Sequence, residues 1–308
     1  MSLKRAGAAG NTSLDPAVLD SLSKLSLVAR TVVEGFMAGS HRSPHRGSSV
    51  EFAQHREYVP GDDPRYLDEK IFAKSDRLVV KEFVEETNFA CHLMLDCSGS
   101  MNYGSGSWTK LDYARWAAAA LSYLVLSQRD TAGLVLFDTQ ARDKVPPGNG
   151  AAQSASILKM LETAEPTGET GVGSVLDWIG TRLSQKGIVC VLSDFLDDPE
   201  RILEGVRRLR VAGHEPILFQ VLDPRELDFA LDGQLRLQGL EGDARMKVDA
   251  KALREAYCEE VENHIATLRD RSRSMGIDFV SMRTDEPLDV VLSTYLSARI
   301  ARARGGAR

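Results

Sequence analysis

The chain has little of what several large function classes require. It carries four cysteines in 308 residues, Cys91, Cys97, Cys190 and Cys258, with no C-x-x-C pair among them. That spacing argues against a thiolate zinc site and does not resemble the dense disulfide framework of a small secreted domain, so reduced thiols are expected. There is no long apolar run. The longest uncharged helical stretch, Trp116 to Gln128, falls well short of the ~20 residues a membrane span needs. The opening MSLKRAGAAGNTSLD has no apolar core, so no secretory signal is expected. No G-x-x-x-x-G-K-[ST] occurs, so the chain is not itself a P-loop ATPase, and no H-E-x-x-H occurs to suggest a zinc hydrolase. Positive charge is not in surplus either. Lys and Arg number 38 against 44 Asp and Glu, a net charge of −6, which argues against nucleic acid as a partner. No internal repeat or long low-complexity tract is visible.

What is present is a globular composition, 43% hydrophobic and 27% charged, long enough to bury a sizeable core. Residues 1 to 13 read as a tail. A helix is predicted to start at Asp15-Pro16, with Val18, Leu19, Leu22, Leu25 and Val28 at helical spacing, and to fade at Gly39-Ser40. Two extended pieces follow, Val50 to Tyr58 and Leu78 to Val84, with a turn at Pro60 to Pro64 and a short helix at Lys70 to Ser75 between them.

From Asn88 the pattern alternates. Short apolar runs at Ala90–Leu95, Ala132–Phe137, Ile188–Leu192, Pro216–Val221 and Asp278–Met282 read as strands buried on both faces. Helical periodicity covers Leu111–Ser127, Ser154–Ala164, Ser174–Ser184, Pro199–Val211, Lys251–Ser274 and Leu288–Ala301. Such alternation predicts an α/β, Rossmann-like, mostly parallel sheet with helices on both faces. Leu227 to Val248 breaks the rhythm and reads as a β-hairpin turning at Leu231-Asp232-Gly233-Gln234. The expected division is 1–87 as an N-terminal helix and small β-containing extension, 88–302 as the main domain, and 303–308 as a basic tail.

The residues that carry chemistry sit at predicted strand ends. Leu93-Met94-Leu95-Asp96 runs into Cys97-Ser98-Gly99-Ser100, an Asp-x-Ser-x-Ser sequence just beyond a buried strand, at the edge where open α/β sheets bind ligands. A carboxylate and two hydroxyls on one turn are hard oxygen donors suited to Mg²⁺ or Mn²⁺. Gly99 is expected to let the backbone turn sharply between the serines. Thr170, in Gly168-Glu169-Thr170-Gly171, and Asp194, after the strand ending at Leu192, fall in loops at the same end of the sheet. Cys97 reads as an inward-packed residue rather than a nucleophile, and His92 as a core or edge residue.

This set, Asp96, Ser98, Ser100, Thr170 and Asp194, resembles the metal-ion-dependent adhesion site of von Willebrand factor A domains over about Asn88 to Arg302. The block before it, Glu51-Phe52, Arg56, Tyr58, Gly61-Asp62-Asp63-Pro64-Arg65 and Leu67-Asp68, resembles the signature of the bacterial "domain of unknown function fifty-eight" family, in which such a block precedes a von Willebrand-like domain. Two positions depart from the pattern: Glu69 where Trp is expected, and Glu169 where many such loops have Gly. The resemblance implies Mg²⁺ (with Mn²⁺ or Ca²⁺ as substitutes) held directly by Ser98, Ser100 and Thr170, with Asp96 and Asp194 acting through water. It implies that a partner's carboxylate fills the open position, and that the chain works with a MoxR-type AAA+ ATPase as an adaptor or assembly factor rather than an enzyme. Arg56, Tyr58, Asp62, Asp63 and Arg65 become candidates for partner binding, although a turn stapled by ion pairs explains the same residues. A metal-dependent hydrolase or phosphatase and a structural domain with a vestigial site are the competing readings. A cytoplasmic location, or one peripheral to the inner membrane through Arg299, Arg302, Arg304 and Arg308, is expected.

Overall fold

Strands buried on both faces need helices on both faces, and that requirement organises the computed structural model of this chain. It describes Ala29 and residues 49–59, 67–68, 71–72, 75, 77–86, 90–183, 185–238, 240 and 245–305. The predicted helix at 15–40 lies outside these residues except for Ala29, which is helical and buried. β1 (Ser49–Glu57) and β2 (Val79–Glu86) form an antiparallel ribbon with a bulge between Phe52 and Gln54.

The main sheet contains β3 (Ala90–Asp96), β4 (Thr131–Phe137), β5 (Ala141–Gly148), β6 (Gly187–Ser193), β7 (Glu215–Leu222) and β10 (Asp278–Arg283). Their order is β10-β7-β6-β3-β4-β5. All neighbours are parallel except the β4–β5 edge pair. The Rossmann-like α/β expectation therefore holds. β5 was not anticipated. Its sequence ARDKVPPG is polar and holds two prolines, which an edge strand tolerates because its outer side needs no ladder donors.

Alternation along each strand sends side chains to two cores. On β3, Leu93 and Leu95 join a cluster with α1 (Lys110–Ser127), α2 (Gly150–Thr163) and, in the same cluster, Leu288 and Leu292. Met94 joins the opposite cluster with α3 (Val172–Gly180) and α4 (Pro199–Val211). Ala117 to Ala120 on α1 are buried, and their small side chains let this helix approach the sheet closely. α5 (Pro224–Asp228), a five-residue helix started by an Asp223–Glu226 capping box, follows β7 and was not predicted. The expected hairpin exists as β8 (Gln234–Gln238) and β9 (Arg245–Asp249), but Asp232-Gly233 precedes its first strand rather than forming its turn. α6 (Ala250–Ser274) and α7 (Leu288–Gly305) complete the chain. Among the described residues, no helix is long and apolar enough to cross a membrane.

From β3 the chain moves to β4 on one side, and later returns to β6 on the other. The order of strands reverses at β3, so a crevice opens at the carboxyl ends of β3 and β6. The amino-terminal side of β3 and β7 holds a histidine pair. His92 Nε2 lies 3.1 Å from the Gln185 carbonyl oxygen, and the His92 and His214 rings meet edge to face at 6.1 Å. Burial lowers the pKa of both; the neighbouring His214 adds to the effect on His92, and Lys186 adds to that on His214. The fold thus favours neutral rings. The stability this provides is present above the ordinary histidine value of about 6.5 and is lost as pH falls below it, through the lowered values of the folded state. The urea midpoint is expected to drop between about pH 7.5 and 5.5, and to drop less in a His92→Gln/His214→Gln variant. An equal drop in both proteins would show that the pair is not responsible.

Candidate metal centre

The carboxyl end of β3 delivers a charge into the interior. Asp96 is fully buried. Its Oδ1 accepts the Ser98 backbone N–H at 2.8 Å and its Oδ2 accepts the Ser193 hydroxyl at 2.6 Å. Ser98 is buried and caps a 3-10 turn, Gly99–Asn102, whose second residue is Ser100; the two serine Oγ atoms lie 3.2 Å apart. Gly99 has a different role from the one expected. Its φ is not positive. A Cβ there would come within 2.6 Å of the Leu240 carbonyl oxygen and 3.1 Å of that of Gly168, so glycine is required because two other backbone segments press on the turn.

One of those segments carries Thr170. Thr167 N–H donates to the Cys97 carbonyl at 2.8 Å, and Gly99 N–H donates to the Gly168 carbonyl at 3.0 Å. The loop before α3 is therefore bonded on both sides of Ser98. Thr170 is half-buried two residues beyond Gly168, whose φ is +80°.

Asp194 comes from the end of β6. It is fully buried, and its loop is held at several points. Ser193 Oγ accepts the Phe195 N–H at 3.0 Å, Gln220 Nε2 donates to the Asp194 carbonyl at 3.1 Å, and His264 Nε2 on α6 donates to the Phe195 carbonyl at 2.7 Å. Phe195 takes φ 54°, an uncommon conformation for a bulky residue, which these bonds maintain. The Asp194 side chain accepts Leu196 N–H at 3.1 Å and the Lys110 ammonium at 2.8 Å. Lys110, also fully buried, donates to Glu226 as well, at 2.6 Å. The second oxygen of Glu226 accepts the Asp223 N–H at 2.9 Å, and Asp223 accepts the Ser105 hydroxyl at 2.6 Å.

The electrostatics follow from this burial. Loss of solvent, followed by the nearby Asp194 charge, pushes the Asp96 carboxyl up to about 7, against the bonds from Ser193 and Ser98. Burial alone would lower the pKa of Lys110, but Asp194 and Glu226 outweigh it and hold the ammonium above its ordinary value. Burial raises the Glu226 carboxyl. Cys97 is buried, and its thiol is pushed up to about 12 by burial and then by Asp96, which suits an inert core residue.

The crevice thus joins Asp96 directly to Ser98 and Ser193 and Ser98 to Ser100, with Asp194 next to Ser193 and the Thr170 loop bonded to the serine turn. Among the described residues, no group of three or more His, Cys, Asp or Glu side chains is placed to hold a metal. An ion here would be bound chiefly by hydroxyls, with the carboxylates behind them. The donor geometry fits a small hard cation: two ligands at ~2.1 Å on adjacent corners of an octahedron lie ~3.0 Å apart, close to the observed Ser98–Ser100 separation of 3.2 Å. Among the described residues no basic side chain forms an ion pair with Asp96 itself; Lys110 pairs with the neighbouring Asp194 and with Glu226. Of the partner-binding candidates, Arg56 lies on β1 and Tyr58 donates its N–H to the Leu78 carbonyl at 3.0 Å. Asp62, Asp63 and Arg65 lie outside the described residues. Sequence reasoning missed Lys110, Ser193 and Glu226. Ser193 adjoins Asp194 in the strand-end pair and was within reach of the pattern, whereas the other two have no local signal.

The fold and this crevice define an α/β protein with an oxygen-rich site at a topological switch point. The chain belongs to the family described as "Protein of unknown function DUF58", matched over residues 54–267. It is 27% identical over 298 residues to uncharacterized proteins of Mycobacterium tuberculosis and Mycobacterium bovis, covering 95% of this chain and 93% of theirs. A solved structure, the conserved hypothetical protein BatB from Bacteroides thetaiotaomicron, superposes with a TM-score of 0.45 at 14% identity, over 70% of this chain and 99% of that one.

The raised Asp96 has a measurable consequence in metal-free protein. A carboxyl whose folded value lies above its unfolded one destabilises the fold above pH 7, and the penalty fades as pH falls toward 4. Asp96→Asn keeps polar atoms facing Ser98 and Ser193 and removes the charge. In EDTA at about pH 8 it is expected to raise stability by about 1–3 kcal/mol in chemical denaturation, with the gain gone near pH 4. A variant less stable than wild type at pH 8 would contradict this account.

Proposed function

We propose that this protein is a Mg²⁺-dependent protein-binding module whose centre works as a metal-ion-dependent adhesion site of the von Willebrand factor A type. The observation that carries the reading is the pairing of Ser98 and Ser100 hydroxyls at 3.2 Å beside the fully buried carboxylate of Asp96. Ser98, Ser100 and Thr170 hold the ion, while Asp96 and Asp194 supply negative charge around it. The ion, when bound, offers a Lewis-acidic position to an incoming carboxylate. The chain's own groups do the rest. Ser193 and the Ser98 N–H orient Asp96, and the Thr167 and Gly99 backbone bonds hold the threonine loop against the serine turn.

The partner is a protein presenting an acidic side chain. The sequence resemblance to a family commonly associated with MoxR-type AAA+ ATPases supports such an ATPase as the working partner, with this chain as adaptor or assembly factor and not as enzyme. A donor set weighted to neutral hydroxyls argues against a hydrolase, since two-metal sites gather carboxylates.

Calorimetric titration with Mg²⁺ or Mn²⁺ tests the centre. Wild type is expected to bind, and Ser98→Ala to bind at least about tenfold more weakly, the minimum seen even when an outer partner of a metal ligand is lost. Circular dichroism is expected to be unchanged. Capture of an AAA+ ATPase in Mg²⁺ that disappears in EDTA and in Ser98→Ala would support the docking role. Equal capture in all three would move the docking surface away from the metal.

A further inference from the structure

Lys110 is placed where a lysine is costly twice over. It is the first residue of α1, at the positive end of the helix dipole, and it has no exposed surface. Local rules broken without an evident packing gain cluster at functional sites. Its ammonium touches Asp194 at 2.8 Å, a residue of the proposed metal centre, and Glu226 at 2.6 Å, which is not part of that centre. Two buried or nearly buried carboxylates, Asp194 and Glu226, contact this one cation, and the charge of Asp194 in turn acts on the fully buried Asp96. Tyr103, Tyr257 and Asp223 face the same cluster.

We propose that Lys110 is a resident counter-cation that sets the metal affinity of the centre. It neutralises part of the field that Asp96 and Asp194 present to a divalent ion, and Glu226 sets how much of the lysine charge remains to do so. This inference rests on the metal-centre reading above. It makes Lys110 a positioning and affinity-setting residue rather than a ligand. The consequence is directional. Removing the lysine charge strengthens metal binding, and removing the Glu226 charge weakens it, because Lys110 then opposes the ion more fully. A scaffold role alone would weaken binding in both cases or in neither.

The test is Mn²⁺ titration of full-length protein, followed by calorimetry and by the electron paramagnetic resonance signal of free Mn²⁺. Lys110→Met is expected to bind Mn²⁺ at least about tenfold more tightly, the order expected for one unit charge acting on a divalent ion across several ångströms even in a water-like dielectric. Glu226→Gln is expected to bind about tenfold more weakly. Lys110→Met/Glu226→Gln has the wild-type net charge and is expected to lie within about threefold of wild type. Should Lys110→Met alone fail to fold, the comparison of Glu226→Gln with the double variant decides: binding in Glu226→Gln that equals or exceeds wild type overturns the proposal. Lys110→Met that folds and binds more weakly or unchanged also overturns it. Wild type that binds no Mn²⁺ in the millimolar range instead defeats the underlying metal-centre reading.

Discussion

A carboxylate without solvent sits at the end of the central strand, and the crevice is arranged around it. Asp96 has both oxygens engaged, by the Ser98 N–H and the Ser193 hydroxyl, yet hydrogen bonds from neutral groups do not balance a full charge in the interior. The neighbouring charge of Asp194 makes the imbalance worse. A site with this deficit favours a cation over a neutral ligand. The hydroxyls of Ser98 and Ser100 are the surface through which an ion would meet it.

The second carboxylate solves the same problem differently. Asp194 is compensated from within the chain by Lys110, whose position at the start of α1 is secured by the Thr109–Asp112 capping box. Lys110 then reaches Glu226, Glu226 caps α5 through the Asp223 N–H, and Asp223 holds Ser105 in the loop leaving the serine turn. The polar groups therefore form a continuous chain of bonds from Asp194 to Ser105. The chain explains why a five-residue helix persists directly after β7, where propensity alone is too weak to hold one.

Much of this was legible in the residues. Continuous apolar runs at 90–95, 188–192 and 216–221 announced strands buried on both sides, and Asp-x-Ser-x-Ser after the first of them located the crevice. What escaped had no local pattern. β5 is polar and proline-bearing, so only its pairing with β4 makes it a strand. Asp232-Gly233 has hairpin chemistry, yet the hairpin starts after it, because a turn signal states where a chain can bend and not which strands it joins. Lys110 and Glu226 lie 84 and 32 residues from Asp194 along the chain, and a salt bridge between distant residues leaves no periodicity to read.

The bond from Ser193 to Asp96 spans 97 residues, and that from Lys110 to Asp194 spans 84. No half of the sheet contains the crevice; it exists only after β6 has docked beside β3 and closed a long loop, the slow kind of step in a folding reaction. An ion held there would recognise the finished fold and ignore the unfolded chain. Metal concentration would then act as a thermodynamic weight on the native state, raising its stability with the logarithm of free ion. The strand order that creates the crevice would thus also make occupancy by such an ion a report on whether folding is complete.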